Sequence, residues 1–137
     1  ASGNVVFDAG SNKSGMLETA IEKHLEKSLG YAVSTFVRTP EEIAAVVDHE
    51  PYPRSVIDKA HALWIGFLKE PPAAAAARKL AALRCATDDF CVHGREVYWL
   101  RQVTSSESKI AGSSIERALG GPLTARNITT VRKLAAF

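Results

Sequence analysis

The chain has 137 residues, of which 46% are hydrophobic and 23% are charged, and its formal net charge is +2. This length allows a domain with a real core, and the composition excludes a disordered chain. No stretch approaches the roughly 20 apolar residues of a membrane helix, and the opening "ASGNVVFDAG" lacks the pattern of a signal peptide, so we expect a cytoplasmic protein without a membrane partner.

The first third of the chain alternates between strand-like and helix-like segments. Asn4–Phe7 is typical of the end of a strand, and apolar residues at helical spacing predict a helix over Leu17–Leu29. Gly30 is placed to stop that helix. The β-branched and aromatic residues of Tyr31–Arg38 predict a second strand.

The middle of the chain continues this alternation. Thr39 and Glu42 have the spacing of a capping box, which predicts the start of a helix. His61–Leu68 is a nearly continuous apolar run, as expected of a central strand. A further helix is predicted after Pro72, because alanine is the best helix former and dominates the segment that follows.

The last part of the chain predicts a hairpin and two helices. Asp89–Arg101 indicates two strands joined at His93-Gly94, and helices are predicted over Ile110–Leu119 and Asn127–Ala136. The whole order predicts an α+β fold, a two-layer sandwich with a mixed sheet and ferredoxin-like β-α-β units. We expect one domain over residues 1–137.

Positive charge is concentrated near the C-terminus. Residues 1–94 contain ten Lys/Arg and twelve Asp/Glu, whereas residues 95–137 contain seven and three. A net charge of +2 is too small to indicate a nucleic-acid-binding protein by itself. The basic excess nevertheless directs the search for a binding site to the last third.

Lys109 is the first candidate, together with Ser108 in the hydroxyl-rich segment before it. We expect Lys109 within the first turn or so of the next helix, where a cation is unfavourable by roughly 0.3–1 kcal/mol. An anion held between Lys109 and the helix N-terminus would compensate. Glu107 could compensate instead, in which case Lys109 is an ordinary solvated residue.

Arg126 is the second candidate. It precedes Asn127, which by type and position is an N-cap that can accept from the N–H of Thr129 or Thr130. With the hydroxyls of Thr124 and Thr130, Arg126 could bind a phosphate or carboxylate. Alternatively, Arg126 holds the last helix to the sheet. If the fold brings Lys109 and Arg126 together, the two helix starts would form one anion site.

Other kinds of site are not indicated. Cys85 and Cys91 are too few for a disulfide framework, and their spacing matches no common zinc or redox motif. The four histidines are scattered, and no Walker, dinucleotide or Gly-x-Ser-x-Gly motif is present. We therefore expect no metal and no cofactor, and no catalytic residue is identified.

Several segments together resemble the bacterial domain of unknown function 1697 (DUF1697) family: "SGNVVF" (2–7), "FLKEPP" (67–72), "VHGREVYWL" (92–100), "SK" (108–109) and "LGGPLTARNITTVRKL" (119–134). The resemblance implies a shared fold but no reaction. It also implies that residues 1–50 are the end of the family's first half and residues 51–137 its second half.

This sequence departs from the family's pattern in two respects. Family members usually have a strand, a glycine-rich loop and a helix before the "SGN" strand, and that portion is not in this sequence. The family also often has an arginine before the "SK" pair and a tryptophan after "RN", where this chain has Glu107 and Ile128. The substitution at Glu107 weakens the case for a strongly cationic pocket.

Three functions stay open at this point. The first is a binding module for an anionic ligand: a nucleotide, a phosphorylated metabolite or the nucleic-acid backbone. The second is an enzyme acting on a phosphorylated or carboxylated small molecule, and the third is a structural or interaction domain. The balanced charge favours a small ligand over nucleic acid. A sheet edge left exposed would favour a homodimer formed by strand pairing.

Overall fold

A computed structural model describes residues 3–10, 13–104 and 106–137. Within these residues the chain forms six helices and four strands. The helices are α1 (Ser14–Leu29), α2 (Pro40–Asp48), α3 (Arg54–Lys59), α4 (Ala74–Ala81), α5 (Gly112–Leu119) and α6 (Ile128–Ala135). The strands are β1 (Ala62–Phe67), β2 (Asp88–His93), β3 (Glu96–Arg101) and β4 (Thr124–Asn127). The chain divides into two compact units, Ala1–Val37 and Arg38–Phe137.

The described part of the first unit consists of α1 and segments without regular secondary structure. As predicted, α1 ends at Gly30, which adopts the left-handed conformation at φ 81° and donates its N–H to the carbonyl of Glu26. Asn4–Phe7 is not a strand, and its apolar side chains are exposed.

The segment after α1 is not a strand, contrary to the prediction for Tyr31–Arg38. Two of its backbone N–H groups are used by carboxylates of α1. Thr35 donates to Glu22 Oε2 at 2.9 Å, and Val37 donates to Glu18 Oε2 at 2.8 Å. Since these donors bind side chains, they are not available to a neighbouring strand.

The second unit contains a four-stranded sheet in the order β2-β3-β1-β4. All three pairings are antiparallel, so the α+β fold is confirmed and the expectation of a mixed sheet is wrong. The reason is the position of β3. It lies between β1 and β2, so these two strands, which run in the same direction and are joined through α4, do not pair with each other.

One face of the sheet packs against α4 and α5. Val97 and Trp99 of β3 form a buried cluster with Leu80 of α4 and Ile115 of α5. We call this the α4/α5 face; the sheet and the two helices on this face are the two layers of the predicted α+β sandwich.

The opposite face carries α2 and α6. Tyr98 alternates with Val97 and Trp99 along β3 and therefore points to this side. Its hydroxyl donates to the carbonyl of Val46 in α2 at 2.7 Å. Ile65 is paired with Tyr98 in register and is fully buried. We call this the α2/α6 face, because α6 packs against both α2 and β1.

Local signals of the second unit behave as predicted. Thr39 and Glu42 form both bonds of the capping box at the start of α2. The β2–β3 hairpin forms as predicted, but His93 pairs with Glu96, so the tight two-residue turn is Gly94-Arg95, one residue later than predicted; the φ of 59° at Gly94 suits the first position of such a turn. Two elements, α3 and β4, were not predicted from the sequence.

Candidate functional site

Arg126 lies in β4, one residue before the N-cap of α6. Its register partner is Ile65, so the side chain is on the α2/α6 face. Arg126 Nη1 donates to Thr124 Oγ1 at 2.7 Å and to the carbonyl of Ala125 at 2.9 Å. The guanidinium is thus half-buried and held beside its own strand.

Asn127 is the N-cap of α6, as predicted. Its side chain accepts from the N–H of Thr129 at 3.0 Å. Thr130 lies in the first turn of α6 and is half-buried. That turn contains no acidic residue, so no carboxylate of the helix itself offsets the positive end of the dipole.

Ser108 is occupied by structural hydrogen bonds. Its hydroxyl donates to Asp88 Oδ2 at 2.7 Å and accepts from the N–H of Ile110 at 3.1 Å. Ser108 therefore fixes the segment before α5 to the start of β2.

Asp88 is the centre of a buried polar cluster that sequence reasoning missed. Only 1% of Asp88 is exposed, yet its carboxylate also accepts from Thr87 Oγ1 at 2.7 Å, Trp99 Nε1 at 2.8 Å and Arg101 Nε at 3.4 Å. Burial by itself would raise the pKa of Asp88, but the hydrogen bonds from Thr87, Ser108, Trp99 and Arg101 outweigh it and lower the pKa.

One signal in the sequence could have pointed to this cluster. Trp99 and Arg101 alternate on one strand, so they share a face, and Asp88 begins the strand joined to it by the hairpin. Arg101 also lies over the Trp99 ring, with its Cζ 4.3 Å from the ring centroid. The cluster is structural, since it joins β2, β3 and the segment before α5.

Lys109 is not in the first turn of a helix, contrary to the prediction. Helix α5 begins at Gly112 with Ala111 as its N-cap, so Lys109 precedes the helix. The bonds of Ser108 and the donation of Arg101 Nη2 to the carbonyl of Ile110 at 2.7 Å bind this segment to the sheet instead. The Lys109 side chain is exposed, and within the described residues no ion pair or hydrogen bond engages it.

The sheet separates Ser108 from Arg126. The Asp88 carboxylate that Ser108 binds is on the α4/α5 face of β2, whereas Arg126 is on the α2/α6 face of β4. These are the two edge strands, with β3 and β1 between them. Three strand spacings of roughly 4.8 Å put about 14 Å between the two edges. The six candidate residues therefore form two groups, with Ser108 and Lys109 apart from Thr124, Arg126, Asn127 and Thr130.

A cavity of about 300 Å³ lies at the start of β2. Its polar lining includes Arg84, Cys85 and Tyr52. Hydrogen bonding with Thr87 lowers the pKa of the exposed Cys85 thiol, whereas burial raises the pKa of Cys91. Arg84 forms an ion pair with Asp89 at 3.2 Å. Because the two charges are opposite, this pair adds no net charge to the cavity.

The described parts of the chain contain no group of three or more His, Cys, Asp or Glu residues able to hold a metal ion. Among the helices of residues 3–10, 13–104 and 106–137, none is both long and apolar enough to span a membrane.

A family model described as "Protein of unknown function (DUF1697)" matches residues 1–98. The match includes Asp88 and all of β2, ends within β3, and stops before all six candidate residues. Neither a curated protein nor a solved structure is significantly similar to the chain.

Proposed function

Since the chain belongs to the DUF1697 family, whose function is unknown, we propose a function from its own residues: it is a binding module for an anionic ligand at the start of α6. The ligand is a nucleotide or another phosphorylated small molecule. Arg126 is its main contact, supported by Thr124, Asn127 and Thr130.

One observation carries this proposal, the 2.7 Å hydrogen bond between Arg126 Nη1 and Thr124 Oγ1. It holds a guanidinium one residue before the N-cap of a helix. An ordered guanidinium loses less conformational entropy when it binds a planar anion, and Arg can donate two parallel hydrogen bonds to phosphate or carboxylate. The positive end of the α6 dipole acts in the same direction.

Ser108 and Lys109 are not part of this site. Ser108 is bonded to Asp88, and the sheet lies between it and Arg126. Lys109 would therefore contact a different ligand, or a different part of a ligand that extends around the sheet. This is where the nucleic-acid hypothesis differs from the one we favour, because it allows a larger ligand.

The test is stabilisation by added anions. We expect inorganic phosphate and a nucleoside triphosphate to raise the Tm of the protein, and Arg126→Ala to abolish that rise. Arg132→Ala is the control, since Arg132 is an exposed arginine of α6, the helix at whose start the site lies. A phosphate-induced rise in Tm that is the same in Arg126→Ala and in the wild type would refute the proposal.

Lys109→Ala distinguishes the remaining alternatives. If the site is confined to the start of α6, this variant keeps the full response to phosphate. A response lost in Lys109→Ala but kept in Arg126→Ala would place the ligand near Lys109 instead. A steep loss of affinity with added salt would indicate the nucleic-acid backbone, whereas a small ligand gives a shallow dependence.

A second candidate function is association of two copies through a sheet edge. The observation that favours it is β2, a six-residue edge strand that pairs on one side with β3 within the described sheet. Edge strands of this length present backbone donors and acceptors to another chain. A monomeric mass in analytical ultracentrifugation at micromolar concentration would end this proposal.

We propose a cytoplasmic, bacterial protein with ferredoxin-like topology, and the strand order β2-β3-β1-β4 supports the topology.

A further inference from the structure

Two histidines from different elements stack on each other. The rings of His49 and His93 have centroids 3.7 Å apart and planes only 10° apart. His49 is the C-cap of α2, and His93 is the last residue of β2, next to the hairpin turn. Tyr98 of β3 meets His49 edge-on, with centroids 5.2 Å apart. The stack thus joins the end of α2 to the β2–β3 hairpin.

This contact depends on the charge of the rings. Neutral imidazoles can stack as other aromatic rings do. Two imidazolium ions at this separation repel each other, and the repulsion is stronger near protein than in bulk water. Burial lowers the pKa of His49, and the neighbouring His93 lowers it further. The C-terminal end of α2 acts in the opposite direction, since a helix C-terminus favours a cation.

The groups around the stack do not supply a strong counter-charge. Tyr98 is neutral, because burial raises the pKa of its hydroxyl, which donates to the carbonyl of Val46. Glu96 is the ladder partner of His93, but its carboxylate is already bonded to Arg38 at 2.9 Å.

Three more titratable groups belong to the surroundings. Cys91 shares the face of His93 on β2, and burial raises the pKa of its thiol. Asp48 and Glu50 flank His49 in the chain and are both exposed, so solvent screens their attraction for a protonated ring.

We propose that the His49–His93 stack is a pH-sensitive contact, which holds the end of α2 against the β2–β3 hairpin while the rings are neutral and opens when both are protonated. The folded state resists protonation of His49, so between its lowered pKa and the ordinary value of 6.5 the unfolded chain binds more protons. The stabilising contribution is complete above pH 6.5 and is lost as the pH falls through that window.

The first test uses His93→Phe, which keeps an aromatic ring in the stack but removes one titratable group. His61→Phe is the control, because His61 is exposed and lies just before β1. Between about pH 7.5 and pH 5.5 we expect the Tm of the wild type and of His61→Phe to fall at least about 3 °C more than that of His93→Phe. Equal falls in all three proteins would overturn the proposal.

The second test needs no substitution and therefore does not depend on the variant folding. Amide hydrogen exchange of the wild type, corrected for the intrinsic effect of pH, is compared at the same two pH values. We expect protection to fall in the β2–β3 hairpin and the last turn of α2, while α4 and α5 keep theirs. Unchanged protection at the hairpin, or an equal loss in α4 and α5, would contradict a local opening.

Discussion

Trp99 donates its indole N–H to Asp88 across the β2–β3 ladder, with Nε1 and Oδ1 2.8 Å apart. The two residues are diagonal neighbours on the α4/α5 face, where Asp88 is paired in register with Arg101. A carboxylate is tolerated at this depth because it accepts hydrogen bonds from Thr87, Trp99, Arg101 and Ser108. Asp88 therefore organises the end of the sheet.

The first prediction concerns removal of this carboxylate. Asp88→Ala removes the acceptor of the Trp99 indole N–H and the carboxylate that is paired with the buried Arg101 guanidinium, so we expect the free energy of unfolding to fall by about 3–5 kcal/mol. Urea denaturation measures this change. Asp89→Ala is the control, because Asp89 pairs with Arg84, whose side chain is 70% exposed, and its loss should cost about 1 kcal/mol or less. Similar losses in the two variants would contradict the central role of Asp88.

The second prediction separates Ser108 from ligand binding. Ser108→Ala removes a hydrogen bond to a charged acceptor, so we expect a loss of about 1.5–3 kcal/mol in stability and an unchanged response of Tm to phosphate. Ser106→Ala, at an exposed position, serves as the control and should be nearly neutral. The prediction fails if Ser108→Ala is as stable as the wild type but no longer responds to phosphate.

The third prediction is a loss of stability in acid. The pKa of Asp88 is lowered from 3.8 in the folded state, so below pH 3.8 the unfolded chain binds more protons at this position than the folded chain does. The contribution of Asp88 is complete above that pH and is lost as the pH falls through its folded pKa. Asp88→Asn should flatten this part of the stability curve. Parallel curves for the wild type and Asp88→Asn would assign the acid transition to other carboxylates.

The fourth prediction concerns the two cysteines, whose surroundings differ. The Cys85 thiol is exposed and has a lowered pKa, whereas Cys91 is half-buried and has a raised pKa. Because the thiolate is the reactive form, iodoacetamide should label Cys85 at least about tenfold faster near pH 7.5. Peptide mapping by mass spectrometry measures both rates in one sample. Cys91→Ser should keep the fast reaction, and faster labelling of Cys91 in the native protein would be the contrary result.

Part of the candidate site could be predicted because it depends on neighbours in the chain. Asn127 caps α6 through the N–H of Thr129, two residues away, as its type and position indicate. The predicted position of Lys109 near a helix start was wrong, because residues distant in the sequence determine the conformation of its segment. Arg101 donates to the carbonyl of Ile110, and Asp88 accepts from the hydroxyl of Ser108. Because these bonds hold the segment before the helix, α5 begins only at Gly112.

The same division applies to the fold. The capping box of Thr39, the stop at Gly30 and the turn at Gly94 were all readable from the sequence, because each depends on backbone geometry within a few residues. The strand β4 could not be predicted from the local sequence. Thr124–Asn127 becomes a strand only by pairing with β1, which lies about 60 residues earlier.

The sequence by itself determined the α+β class, the family and the local starts and stops of several helices, because periodicity, capping and turn chemistry act over a few residues. Only the tertiary structure decided which groups meet. Arg126 and Ser108 are 18 positions apart in the chain, yet strand order and register place them at opposite edges of the sheet. His49 and His93, 44 positions apart, are stacked at 3.7 Å. Such pairs depend on long-range packing, which the local pattern around either residue does not contain.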